Sequence, residues 1–65
     1  MVSDSDIHRA ARLMIERYGD RAEIEAARRH GEMLVRDDPK DTEVWSRIRR
    51  AIRDLQVPPP RGLMH

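Results

Sequence analysis

The sequence predicts an all-α domain of three short helices, a small three-helix bundle-like unit over residues 1–56, followed by a flexible proline-rich tail over 57–65. Three observations carry this. Apolar residues recur at helical spacing in three successive segments. Two aspartate-marked turns, Gly19-Asp20 and Asp37-Asp38-Pro39, separate those segments. After Gln56 the run VPPPRGLMH cannot continue a helix, because three consecutive prolines lack amide donors and favour extended polyproline II.

The first helix is expected from about Asp4 to Tyr18. Ser3 with Asp6, or Ser5 alone, suits the free amides at its start, and Asp4 and Asp6 suit its positive pole. Its inward stripe is Ile7, Ala10, Ala11, Met14, Ile15 and Tyr18. Arg12 and Glu16 stand one turn apart on the other side. Leu13 lies off the stripe, as a tolerated surface leucine or as part of a second contact surface. Gly19 stops the helix, since glycine takes a left-handed turn at least cost.

The second helix, Asp20 to Arg36, is expected to be the middle member around which the others pack. Asp20 with Glu23 three residues on makes an aspartate version of the capping box. Ile24, Ala27, Gly31, Leu34 and Val35 form one stripe, while Ala22, Ala26 and Met33 form another. So broad an apolar surface calls for neighbours on two sides. Ala27 and Gly31, one turn apart, remove bulk where a facing helix can approach closely.

Asp37 and Asp38 oppose the negative pole of a helix end, so they fit better as the approach to a third helix. That helix is announced by Asp38-Pro39 and Asp41. It runs from about Asp41, or from Pro39 at the earliest, to Leu55. Val44, Trp45, Ile48, Ala51, Ile52 and Leu55 make its apolar stripe, with Trp45 as anchor. Glu43–Arg47 and Arg50–Asp54 stand at four-residue spacing for pairing along the helix. The tail is read as loosely ordered, the alternative being a short rigid arm laid on a neighbouring subunit or partner.

At 65 residues the chain is one domain at most, and a core of this size supplies about 3–5 kcal/mol. There is no cysteine, which removes disulfides and thiolate metal sites. His8, His30 and His65 show no ligand spacing, and no cofactor is expected. Self-association or a protein partner is then the expected staple. Thirteen basic residues against 12 acidic ones leave a net charge of +1, so no global field draws in nucleic acid or lipid. Neither a signal peptide nor a membrane-length apolar run is present, and a cytoplasmic location is expected.

Catalytic chemistry finds little footing. Asp37-Asp38 reads as a cap, and Glu23 and Glu25 point to different sides of their helix. His30 lies between two apolar stripes, where a histidine bonded to a neighbour is the simpler reading. Ser3, Ser5 and Ser46 are the only serines, and none sits on a nucleophile elbow. An enzyme and a small-molecule substrate are not expected. Arg47, Arg49, Arg50 and Arg53 form an alternative nucleic-acid face on the third helix. The acidic turn before that helix would repel phosphates at its N-terminus.

Two resemblances bear on the fold. The run DPKDTEVWSRIRRA, Asp38 to Ala51, resembles the junction between tetratricopeptide repeats, with Tyr18, Ala27, Pro39 and Trp45 at repeat positions. Ile15, Gly31 and Leu34 depart from that pattern, and the chain holds less than two repeats, so what is shared is helix–turn–helix physics. From Ile7 to Gln56 the chain is also similar to short uncharacterised helical proteins of alphaproteobacterial type. That likeness rests on the opening amphipathic helix, the Gly19-Asp20 turn, the alanine- and arginine-rich middle and the closing Trp45-x-Arg47-Ile48-x-x-Ala51-Ile52 helix. It implies a small helical protein with no assigned activity and transfers no site residues.

The expected function is a non-catalytic protein-interaction module: a small adaptor, regulator or accessory subunit that binds another protein or itself. Leu13, Met33, Val35 and Leu63 are the expected contact residues.

Overall fold

A computed structural model describes residues 2–56. The proline tail and Leu63 lie outside the described residues. Within them the chain is all-helical, in two unbroken helical runs, 4–35 and 39–56. A 3-10 turn at Gly19–Arg21 divides the first run into α1 (Asp4–Tyr18) and α2 (Ala22–Val35), and the second run is α3 (Pro39–Gln56).

The start of α1 is the expected one. Ser3 is the N-cap, its hydroxyl accepting from the Asp6 amide at 3.2 Å while the Asp6 carboxylate accepts from the Ser3 amide at 3.4 Å. Gly19 ends the helix at φ 57°, and its N–H donates to the Ile15 carbonyl. A side chain here would pay for a left-handed backbone, so glycine is the economical residue.

The junction that follows differs from expectation. Asp20 sits inside the 3-10 turn, and α2 opens after Arg21 with no side-chain cap. The tighter winding directly after Gly19 leaves Asp20 one residue ahead of the N-cap position, which Arg21 occupies. The Gln56 side-chain amide instead donates to the Gly19 carbonyl at 2.9 Å, fastening the end of α3 to this corner.

The second corner closes through paired backbone hydrogen bonds. The Asp37 amide donates to the Leu34 carbonyl and the Asp38 amide to the Met33 carbonyl, both at 3.1 Å. This is the paired closure of a Schellman motif, with Asp37 at φ 57° in the place glycine usually takes. Asp38 then caps α3, accepting from the Asp41 amide at 3.2 Å, and Pro39 follows at the first helical position. Asp37→Gly is expected to stabilise the domain by about 1 kcal/mol, relieving both the left-handed conformation and a carboxylate at the negative pole of α2. Thermal melts should show a gain of roughly 4–8 °C.

The core is Ile7, Ala11 and Met14 of α1, Ala22 and Ala26 of α2, and Ile48, Ala51 and Ile52 of α3. Ala10, Ile15, Tyr18, Val44 and Trp45 pack around it, half-buried. Helix α3 packs along both other helices, whereas α1 and α2 touch each other much less. The central member is therefore α3, correcting the expectation that α2 would be. The reason is visible in side-chain size. The alanine stripe of α2 faces inward and lets α3 come close, while the bulkier stripe faces out, with Ile24 65%, Leu34 58% and Val35 88% exposed.

Gly31 is likewise not at a close approach within the chain. An added Cβ would meet nothing within 4 Å. Leu55 is exposed too, at the last turn of α3.

The exposed charges find partners across helices rather than along α3. Arg47 pairs with Asp4 of α1, and Arg53 with Glu23 of α2 at 3.1 Å. The expected Glu43–Arg47 and Arg50–Asp54 pairs do not form, nor does Arg12–Glu16. For α3 the central position decides this, because its flanks face carboxylates on both neighbours.

Candidate functional site

With α3 at the centre, the surfaces left open include a groove between the helices and the outer side of α2. The groove is lined by Ala10, Leu13, Tyr18, Arg29 and Trp45 among others. Arg29 Nη2 donates to the Tyr18 hydroxyl at 3.1 Å, and its guanidinium lies 5.5 Å from the Trp45 ring centroid. A cation over an indole face is attracted by the ring's quadrupole, so the three side chains brace one another across all three helices. Leu13 stands at the rim, 58% exposed.

The outer side of α2 is a helix face with no neighbour. At about 100° per residue, Ile24, Gly31 and Val35 point nearly opposite to Ala22, Ala26 and Met33, with Ala27 and Leu34 at one edge. Val35 shares a shallow depression with Arg28, Gly31, Glu32 and Arg36. Arg28 pairs with Glu25 on one side and with Glu32 at 2.9 Å on the other, so the charges flanking this face are balanced.

The hydrogen bond from Arg28 holds the Glu25 carboxyl below its ordinary value, partly opposed by desolvation and aided by the nearby charges of Arg28, Arg29 and Arg21. A lowered folded-state value means that this contribution to stability is present above the usual carboxylate range and is lost as pH falls through the folded value. Glu25→Gln is therefore expected to melt below the parent chain at neutral pH, with the gap closing in acid. Melts taken at neutral pH and at successively lower pH values check the sign.

The expected contact residues do not gather at one place. Leu13 lines the interhelical groove, Val35 lies on the outer side of α2, and Met33 is half-buried on its inward side. The sequence reading missed Ile24 and Leu34 as surface residues, having placed them in the core. The available signal was that α2 carries two apolar stripes on nearly opposite sides, so one helix centre could cover only one of them.

The four arginines of the alternative face are also divided. Arg47 is engaged by Asp4 and the Val2 carbonyl, and Arg53 by Glu23. Arg49 turns toward α2, with Nη1 at 3.4 Å from His30 Nδ1. An arginine only donates, so His30 Nδ1 accepts, which is the satisfied-histidine reading. Arg50 alone of the four is exposed and makes no ion pair with a described residue.

Among the described residues no group of three or more His, Asp or Glu side chains is placed to hold a metal ion. No described helix is long and apolar enough to cross a membrane. No protein-family model matches the chain, and neither a curated protein nor a solved structure matches it.

Proposed function

We propose that this three-helix, bundle-like domain is a non-catalytic protein-interaction module of the cytoplasm, serving as an adaptor, regulator or accessory subunit that binds a partner protein or itself. One observation carries the reading. Ile24 and Val35 project from α2 on the side away from the core, and Leu34 stands at the edge of that face beside α3, all three left exposed. Scattered surface leucines are ordinary, but large side chains collected on one helix face mark an interaction site. A second helix laid on such a face would bury them at the usual gain for apolar surface.

Nucleic acid draws no comparable support, because Arg47 and Arg53 are already paired to carboxylates and Arg49 faces His30. The test places a photo-crosslinking amino acid at position 35 of the full chain in its native host, with position 50 as the control surface. Protein adducts at position 35 and few at position 50 are the expected result. Equal, weak labelling at both positions would remove the basis for an interaction module.

A further inference from the structure

Resting on that interaction reading, we infer that the occupant of the outer α2 face is a second copy of this chain, docked with its own α2 antiparallel across a two-fold axis that crosses the outer face at the level of Arg29, whose own side chain points the other way. Four of its residues are matched in size about that level, while Val35 lies one position beyond them and is mirrored by Glu23. Ile24 and Leu34 stand five positions to either side, and Ala27 and Gly31 stand two positions to either side. Helices that cross are closest at the crossing point and diverge beyond it. Small residues at the centre with large ones at both ends fit that geometry, and a two-fold axis requires the same pattern in both directions. The antiparallel arrangement sets Ile24 against Leu34 of the partner subunit and Ala27 against Gly31 of the partner subunit.

Two further observations point to the same occupant. Gly31 lies in ordinary helical backbone, and a Cβ there would meet nothing within 4 Å, so nothing within the described chain requires glycine. It costs about 1 kcal/mol of helix propensity against alanine, and a second backbone passing closely over it supplies the missing reason. The charges are self-complementary as well. Arg28 and Glu32 are both exposed on one flank of the face. The two-fold axis brings Arg28 to within about 3 Å, along the helix axis, of the level of Glu32 of the partner subunit. A four-charge cluster then closes that edge without burying an unpaired charge. One helix of 14 residues is a short interface, so the dimer is weak, with a dissociation constant on the order of 10 μM or higher.

The experiment is sedimentation of the full chain across a concentration series, with three sets of variants. The parent chain, of 7.6 kDa, is expected to pass from monomer to dimer as concentration rises. Gly31→Leu puts bulk at the crossing point and should weaken association at least tenfold. It should also raise the melting temperature of the dilute monomer, which separates lost docking from misfolding. Arg28→Glu should weaken association severalfold, and adding Glu32→Arg to it should restore the parent behaviour. For the register, Ile24→Cys mixed with Leu34→Cys should form a disulfide-linked dimer that neither forms alone, since the chain has no cysteine of its own. A monomer at every concentration, a dimer indifferent to Gly31→Leu, or like-with-like disulfides would each overturn the proposal. The crosslinking test at position 35 tells the two readings apart. Adducts to a different protein, with a monomer in solution, sink self-docking and leave the interaction module standing. Adducts only to residues 57–65 of the same chain, or none, sink both.

Discussion

Replacing Ile52 by alanine should leave the domain largely unfolded near body temperature. Ile52 has no exposed surface and is the largest side chain so enclosed among the described residues. It sits on α3, the helix against which both others pack, so its removal opens a cavity that no single helix can collapse to fill. Truncations of this kind cost about 2–5 kcal/mol, from lost transfer energy plus the residual void. A domain of this length holds about 3–5 kcal/mol in total, so the loss is comparable with the whole. The melting temperature should fall by roughly 10–30 °C. Leu55→Ala, three residues on, is the control. Leu55 is 45% exposed, and its truncation should change stability by about 0.5 kcal/mol or less. Far-ultraviolet circular dichroism melts at equal, dilute concentration decide between them. Similar shifts for the two variants would mean that Ile52 is not enclosed between α1 and α2.

The contrast between Ile52 and Leu55 also shows where the sequence was readable. Both lie in one apolar stripe of α3, and spacing alone puts both inward. Their neighbours decide the outcome, because α1 and α2 cover Ile52 and leave the last turn of α3 exposed. Local rules performed well wherever the chemistry is local. Ser3 with Asp6, Gly19 at positive φ, and Asp38 with Pro39 set three of the boundaries, and each acts on amides or carbonyls within one turn. The Asp20–Glu23 box failed for a reason just as local, since the turn after Gly19 winds as a 3-10 helix and carries Asp20 out of register. The centre of the fold was harder to read. It depends on the distance between two helix axes, which periodicity does not contain. For recognition the consequence is direct. The apolar face proposed as the contact surface is one that periodicity alone places against a neighbouring helix, and Val35 is the one expected contact that lies on it.

That inversion of α2 leads to the second large effect: Ala26→Leu should destabilise the domain, although it adds apolar surface and a better packing residue by hydrophobicity alone. Ala26 has no exposed surface and lies in the core with Ala11, Ala22 and Ala51. Half of the eight core residues are alanines, so the helices meet at close range and leave no room for an isobutyl group. Forcing extra methylenes into such a contact costs about 1–3 kcal/mol through displaced side chains and backbone shifts. Leucine and alanine differ only slightly in helix propensity, so the loss reports packing rather than helix formation. Leu34→Gln makes the opposite comparison. It removes apolar surface from a side chain that is 58% exposed, and in dilute monomer it should change stability by about 0.5 kcal/mol or less. Had the bulky stripe been the buried one, the two variants would behave in reverse, with Leu34→Gln severe and Ala26→Leu neutral or stabilising. Equilibrium urea unfolding of the pair, at concentrations where no dimer forms, reads both signs at once. The orientation of α2 decides which side of the molecule is left free to bind, so the same measurement bears on the contact surface as directly as on the core.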